Sequence, residues 1–328
     1  MRTLAALRIA LLALGLVGRV AGAQPVEAEK VLAELGFPAD TIARVKAGQM
    51  VHTELPASNE RELGVGLAFR VSVPPAQLVA EVSDGLLEKV DPNFEKHGQL
   101  SGDGSLSQLA ELELGELAEA YADAKPGSDL NLSSAEIRSL QALKGKPSSA
   151  LDEEVRRQIL KRYQDYRSSG LDGIPPYDRG REKRSGSADL RSATEAASPV
   201  KAQVPDFYAT LLDYPKKPGP GLEEAFHWAR YKAHGEPVFI LTHVFTLKEG
   251  DAYGIAQRQF YVSGGYNVEQ AISAFFPVSG GTLVVYVNRT STDQVEGLGG
   301  GTKRAVGKKL LASQLEELFT KFRQAADR

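Results

Sequence analysis

The chain has no cysteine among its 328 residues. That excludes a thiol nucleophile, thiolate metal ligation and disulfide stapling together. Stability must therefore come from burial of apolar surface, and a chain of this length holds one large core or two smaller ones. The compact motifs of familiar chemistries are also missing. There is no H-E-x-x-H zinc pair, no G-x-S-x-G elbow and no G-x-x-x-x-G-K-[ST] phosphate loop. Basic excess is absent too: a formal net charge of −3 gives no global pull on nucleic acid. Long apolar runs are scarce. The only notable one, residues 9–17, is far short of the roughly 20 apolar residues that a membrane span needs.

That run sits in the opening MRTLAALRIALLALGLVGRVAGAQP, between Arg2 and the small-residue triplet Ala21-Gly22-Ala23. A positive start, a short apolar centre and an A-x-A site make a secretory signal peptide over 1–23. The mature chain then begins at Gln24, has no transmembrane segment and is periplasmic or secreted.

Beyond the leader, 24–60 is expected to be helical. In "ELGVGLAFRVSVPP", Leu63, Val65, Leu67, Phe69, Val71 and Val73 alternate with small or polar residues, which predicts a strand with one large apolar face. The small opposite face leaves room for a helix or ligand to approach. Pro74 and Pro75 end the strand and open a helix bearing Leu78, Val82 and Leu86. This first α+β part covers 61–116, and a helical insertion fills 117–220. Ser133 and Glu136 fit a capping box. Val155, Ile159, Tyr163 and Tyr166 then form a packing stripe on a second helix. Residues 170–201 are polar, rich in Ser, Gly and Pro, and read as a long flexible loop carrying the basic run Arg179, Arg181, Lys183 and Arg184.

The remainder, 221–328, reads as strands followed by one helix. The strands are "EAFHWARYK", "EPVFILTHVFTL", "YGIAQRQFYV", "VEQAISAFF" and "TLVVYVNRT". Of these "VEQAISAFF" has an alternative, because Asn267 and Gln270 fit the cap of a short helix. An amphipathic helix over 303–325 should face Val306, Leu310, Leu315, Leu318, Phe319 and Phe322 inward. Asn288-Arg289-Thr290 matches a glycosylation acceptor but ends a strand that reads as buried, so it is discounted.

Five histidines are present, and no two have helical metal-ligand spacing. His243 shares a strand face with Phe239, Leu241, Phe245 and Leu247. A histidine there is either a satisfied core group or a polar point in a cavity. Tyr253, Gln257, Gln259 and Tyr261 recur at even spacing on the next strand and would converge with it if the strands pair. The candidate ligand-binding residues are His243, Tyr253, Gln257, Tyr261 and Tyr286. No catalytic residue, metal or cofactor is assigned.

The blocks "QILKRYQDYRSSGLDGIPPYDRG", "PDFYATLLDYP", "EEAFHWARY", "PVFILTHVF" and "QRQFYVSGGYN" resemble a family of uncharacterised secreted bacterial proteins. That likeness brings no activity with it. "RVSVPPAQLVAEVSDGLLEKV" and "GTLVVYVNRTS" through "VGKKLLASQLEELFTKF" are similar to the opening and ending of START-like helix-grip domains. This resemblance implies an α+β fold in which a curved antiparallel sheet grips a long C-terminal helix around an apolar pocket. The expected function is non-enzymatic binding of an apolar or amphipathic small molecule or lipid. An envelope interaction protein with a filled core is the alternative. A third is an enzyme with His243 as acid or base and Tyr261 or Tyr286 as donors.

Overall fold

A computed structural model of the chain describes residues 26–216, 219, 221–233 and 235–328. The expected signal peptide lies outside the described residues. Two short helices, α1 (Ala28–Glu34) and α2 (Thr41–Lys46), precede strands β1 (Val51–Glu54) and β2 (Glu62–Val71). Helices α3 (Pro75–Ser83) and α4 (Leu86–Val90) lead to β3 (Phe94–Leu100). The insertion opens with α5 (Ala118–Ala122), α6 (Ser134–Gln141) and the long α7 (Ser148–Ser169). It continues through a small hairpin, β4 (Tyr177–Asp178) and β5 (Lys183–Arg184). Helices α8 (Gly186–Glu195), α9 (Ser198–Gln203) and α10 (Pro205–Asp213) complete it. A meander follows: β6 (Leu222–Ala233), β7 (Glu236–Glu249), β8 (Ala252–Val262), β9 (Val268–Val278) and β10 (Gly281–Ser291). Helix α11 (Gly300–Ala326) ends the chain.

Eight strands form one sheet in the order β1-β2-β10-β9-β8-β7-β6-β3, and every pairing is antiparallel. The fold is α+β, with the long C-terminal helix packed on one face of the sheet. Period two decides that contact: Val65, Leu67, Phe69 and Val71 share a face and pack with Leu315, Phe319 and Phe322. The Phe69 ring lies 5.0 Å from Phe319 and 6.3 Å from Phe322. On the other face of β2, the small residues admit the N-terminal helices. A Cβ on Gly66 would come within 3.2 Å of the Phe37 ring, so glycine is what lets that ring settle there.

The insertion covers the sheet face away from α11. Its α7 presents Tyr163 and Tyr166 to Phe226 and Phe260, with Tyr166 stacked on Phe260 at 4.0 Å. The capping box at the start of α6 forms as expected, with Ser133 and Glu136 bonding reciprocally. The same Glu136 carboxylate accepts two 2.6 Å bonds from Arg162 of α7, tying the two helices together.

Two expectations are corrected. Residues 170–201 are not a long loop. They contain the β4–β5 hairpin and α8. Leu190 is the only large apolar residue that α8 fully buries. Polar partners hold the rest. Asp189 accepts from Arg61 at 2.9 Å and from the Ser291 hydroxyl at 2.6 Å. Two residues of the basic run are likewise paired: Arg179 and Arg184 reach Asp293 at 2.9 and 2.8 Å. Second, Val306 and Leu310 are 62% and 52% exposed. They sit about half a turn away from the Leu315–Phe319–Phe322 stripe at 3.6 residues per turn. In this first half of α11 Gly307 lies against Leu63 and Val295, and Arg304 and Lys308 donate to the carbonyls of Glu60 and Leu55 at 2.9 and 2.6 Å. The expected strand "VEQAISAFF" does form, and the alternative, Asn267 capping a short helix, does not. The Asn267 amide donates to Asp293 at 2.9 Å instead.

Candidate functional site

Between the α11 face of the sheet and the helices lies a cavity of about 1140 Å³. Strands β3 and β6–β10 supply its floor, and α11 with the turn from α3 to α4 supplies its roof. The two walls differ in chemistry. Leu311, Leu315, Leu318 and Phe319 descend from α11, and Val244 and Ile255 meet them from the sheet. Deeper along the strands the floor turns polar, with Thr242, Gln257, Gln259, Glu269, Asn288 and Thr290.

Antiparallel register builds the polar end. Glu269 stands beside Gln259 on one side and Thr290 on the other. The Gln259 amide donates to Glu269 at 3.2 Å, and the Thr290 hydroxyl lies 3.0 Å from the second carboxylate oxygen. The Tyr266 hydroxyl donates to Gln259. Asn288 donates to the Tyr286 hydroxyl at 3.2 Å. Burial raises the Glu269 carboxyl above its ordinary value, against the opposing hydrogen bonds of Asn288 and Thr290. Burial, and after it the Glu269 charge, pushes the Tyr266 and Tyr286 phenols up. Tyr231 is raised by burial, then by Asp91, which its hydroxyl meets at 3.0 Å, and then by Glu269. Burial also lowers His227 on the cavity floor.

The five residues expected to bind ligand do not converge. Gln257 and Tyr286 line the cavity. Tyr253 packs at the edge of the same α11-side core. His243 and Tyr261 lie on the opposite face, under the insertion. His243 is fully buried, with its ring stacked on Phe226 at 4.0 Å and its Nδ1 3.2 Å from the Tyr166 hydroxyl. Its Nε2 comes within 3.3 Å of Glu224. Burial pulls its pKa down to about 4, with Glu224 opposing. So His243 is a neutral core group and not a cavity group. The expectation that it faces the C-terminal helix fails because the face it shares with Phe239, Leu241 and Phe245 is the one the insertion covers.

Tyr261 departs for a different reason. Leu241 pairs with Tyr261 while Thr242 pairs with Gln259, so Phe260 is an extra residue in β8. One inserted residue reverses the alternation. Gln257 and Gln259 stay on the cavity side and Tyr261 turns to the other, under the guanidinium of Arg162 at 4.1 Å.

Glu269, Tyr231 and Tyr266 are among the polar residues of the cavity that the sequence reading did not pick out. The signal for Glu269 was its place in a strand of otherwise small or apolar inward residues, which the competing helix reading of that segment obscured. Among the described residues no group of three or more His, Asp or Glu is arranged to hold a metal ion. No family model, curated protein or solved structure matches the chain.

Proposed function

We propose that this is an exported protein that holds an amphipathic small molecule or lipid between its sheet and its C-terminal helix, without transforming it. The observation that carries the reading is the cavity of about 1140 Å³, which is somewhat larger than the roughly 300–1,000 Å³ usual for small-molecule sites. Its apolar helix wall and polar strand floor suit a ligand with two chemically distinct ends. The enzymatic alternative rested on His243 working with Tyr261 or Tyr286. His243 and Tyr286 stand on opposite faces of the sheet, and Tyr261 lies with His243 away from the cavity, so neither pair is assembled in it. Export rests on the N-terminal signature alone. Among the described residues, no helix is long and apolar enough to cross a membrane.

Native mass spectrometry of protein taken from the exported fraction of its own host tests the reading. The expected spectrum carries a small-molecule adduct that is lost on unfolding. Thr242→Phe, which fills the cavity floor, should abolish the adduct and preserve the melting transition. A bare wild-type mass, together with no uptake of a fluorescent acyl probe, would overturn the proposal.

A further inference from the structure

The charge of the cavity lining is one-sided. Six carboxylates face it, from Asp84, Glu88, Asp91, Glu223, Glu269 and Glu317, against two lysines, while the Glu224 carboxylate turns to His243 on the other face. Both lysines already have partners. Lys232 pairs with Glu95 at 3.0 Å and Lys321 with Glu317 at 2.8 Å. Arg258, which sits in the neighbouring strand, points away and is fully buried under the insertion, where it donates to the Leu211 carbonyl at 2.7 Å. Glu269 stands at the polar end of the floor, and no cationic side chain pairs with it among the described residues. Its partners Gln259 and Thr290 are neutral.

A buried carboxylate without a cation is costly, because low-dielectric surroundings penalise an isolated charge. Around it are oxygen-bearing groups: the hydroxyls of Tyr266 and Tyr286, and the Asn288 and Gln259 amides. Tyr286 also marks the seam with the apolar wall, since its ring lies 4.6 Å from Phe319 of α11. An anionic ligand would meet an excess of carboxylates here. A neutral one would leave Glu269 uncompensated.

Resting on the cavity-binding reading above, we infer that the ligand is an amphiphile with a positively charged nitrogen, its cation seated against Glu269 and its tail along Leu315, Leu318 and Phe319. The tyrosine hydroxyls supply further electronegative atoms around the cation, and the carboxylate excess at the walls draws cations in. The same chemistry is offered by a lipid with an ammonium headgroup and by a free long-chain amine. What both share, a tail joined to a cation, is what the two walls require.

Calorimetric titration of the wild-type protein with two probes of equal tail decides the matter. One is dodecyltrimethylammonium and the other is the uncharged dodecyldimethylphosphine oxide, both below their micelle concentrations. The cation should bind at least about tenfold more tightly. Glu269→Gln should erase that preference while still binding the uncharged probe, which also shows that the variant is folded. Should the variant not fold, the wild-type comparison stands by itself. Equal binding of the two probes to wild type would overturn the charge assignment and leave the cavity reading intact. Binding of neither would overturn both. Choline alone should bind far more weakly than the tailed cation, and equal affinity would overturn the amphiphile. Vesicles of phosphatidylcholine that transfer lipid to the protein would identify a headgroup as the source. Uptake of dodecylamine without such transfer would identify a free amine.

Discussion

Protonating His243 means placing an imidazolium among the rings of Phe226, Phe245 and Tyr166, with Glu224 as its one carboxylate neighbour. Its pKa falls from 6.5 to about 4, so the unfolded chain takes up this proton before the folded one does. The stabilising contribution of the neutral ring is complete above pH 6.5 and declines as the pH falls toward 4, below which it changes no further. Integrated over that window the loss is roughly 3 kcal/mol. Thermal melts of wild type should therefore show a stability decline from pH 6.5 to pH 4 that is shallower in His243→Leu. His227, also lowered by burial, keeps a smaller decline of the same sign in the variant. Parallel pH profiles for the two proteins would contradict this account. Ligand uptake should be the same in both, because His243 lies across the sheet from the cavity.

The C-terminal helix is held in two ways along its length, and substitutions should report the difference. Phe322→Ala empties a buried site against Phe69 and should cost roughly 3–5 kcal/mol. Val306→Ser and Leu310→Ser, on the exposed side, should change stability by no more than about 0.5 kcal/mol. Chemical denaturation of the three variants checks both halves; a large loss at Val306 would mean that its side is covered. Elements of this kind were legible in the sequence where apolar residues repeat with a clear period, as in β2, β7, β10 and the second half of α11. The period says that a face exists but not which neighbour covers it. That is why His243 was placed on its correct strand and given the wrong partner. The site was less legible than the fold. Gln257 and Tyr286 could be found from alternation, whereas Tyr261 was misplaced by one unpaired residue at Phe260, which leaves no trace in composition. Strand β3, an edge strand with residues FEKHGQL, has too few apolar groups to show a strand period. Helix α8 was hidden because distant partners, Arg61, Gln270 and Ser291, satisfy its buried polar groups.

At the scale of the molecule, the sheet joins the two ends of the chain. In the sheet β2 pairs only with β1 and β10, and the Arg70 side chain reaches the Gly280 carbonyl across 210 residues of sequence. Closing so long a loop before any reward from contact makes folding slow, on the order of milliseconds to seconds. Refolding from urea, followed by fluorescence of Trp228, the single tryptophan, should show its main phase in that range. Completion within microseconds would contradict the topology. The arrangement also sets an order of events on the ribosome. Val65, Leu67, Phe69 and Val71 are made well before the helix that shields them, Gly300–Ala326, emerges. A chain cut short before residue 300 thus leaves a bare apolar strand near its beginning. Whether synthesis has passed α11 is written on β2, where a chaperone or protease can read it.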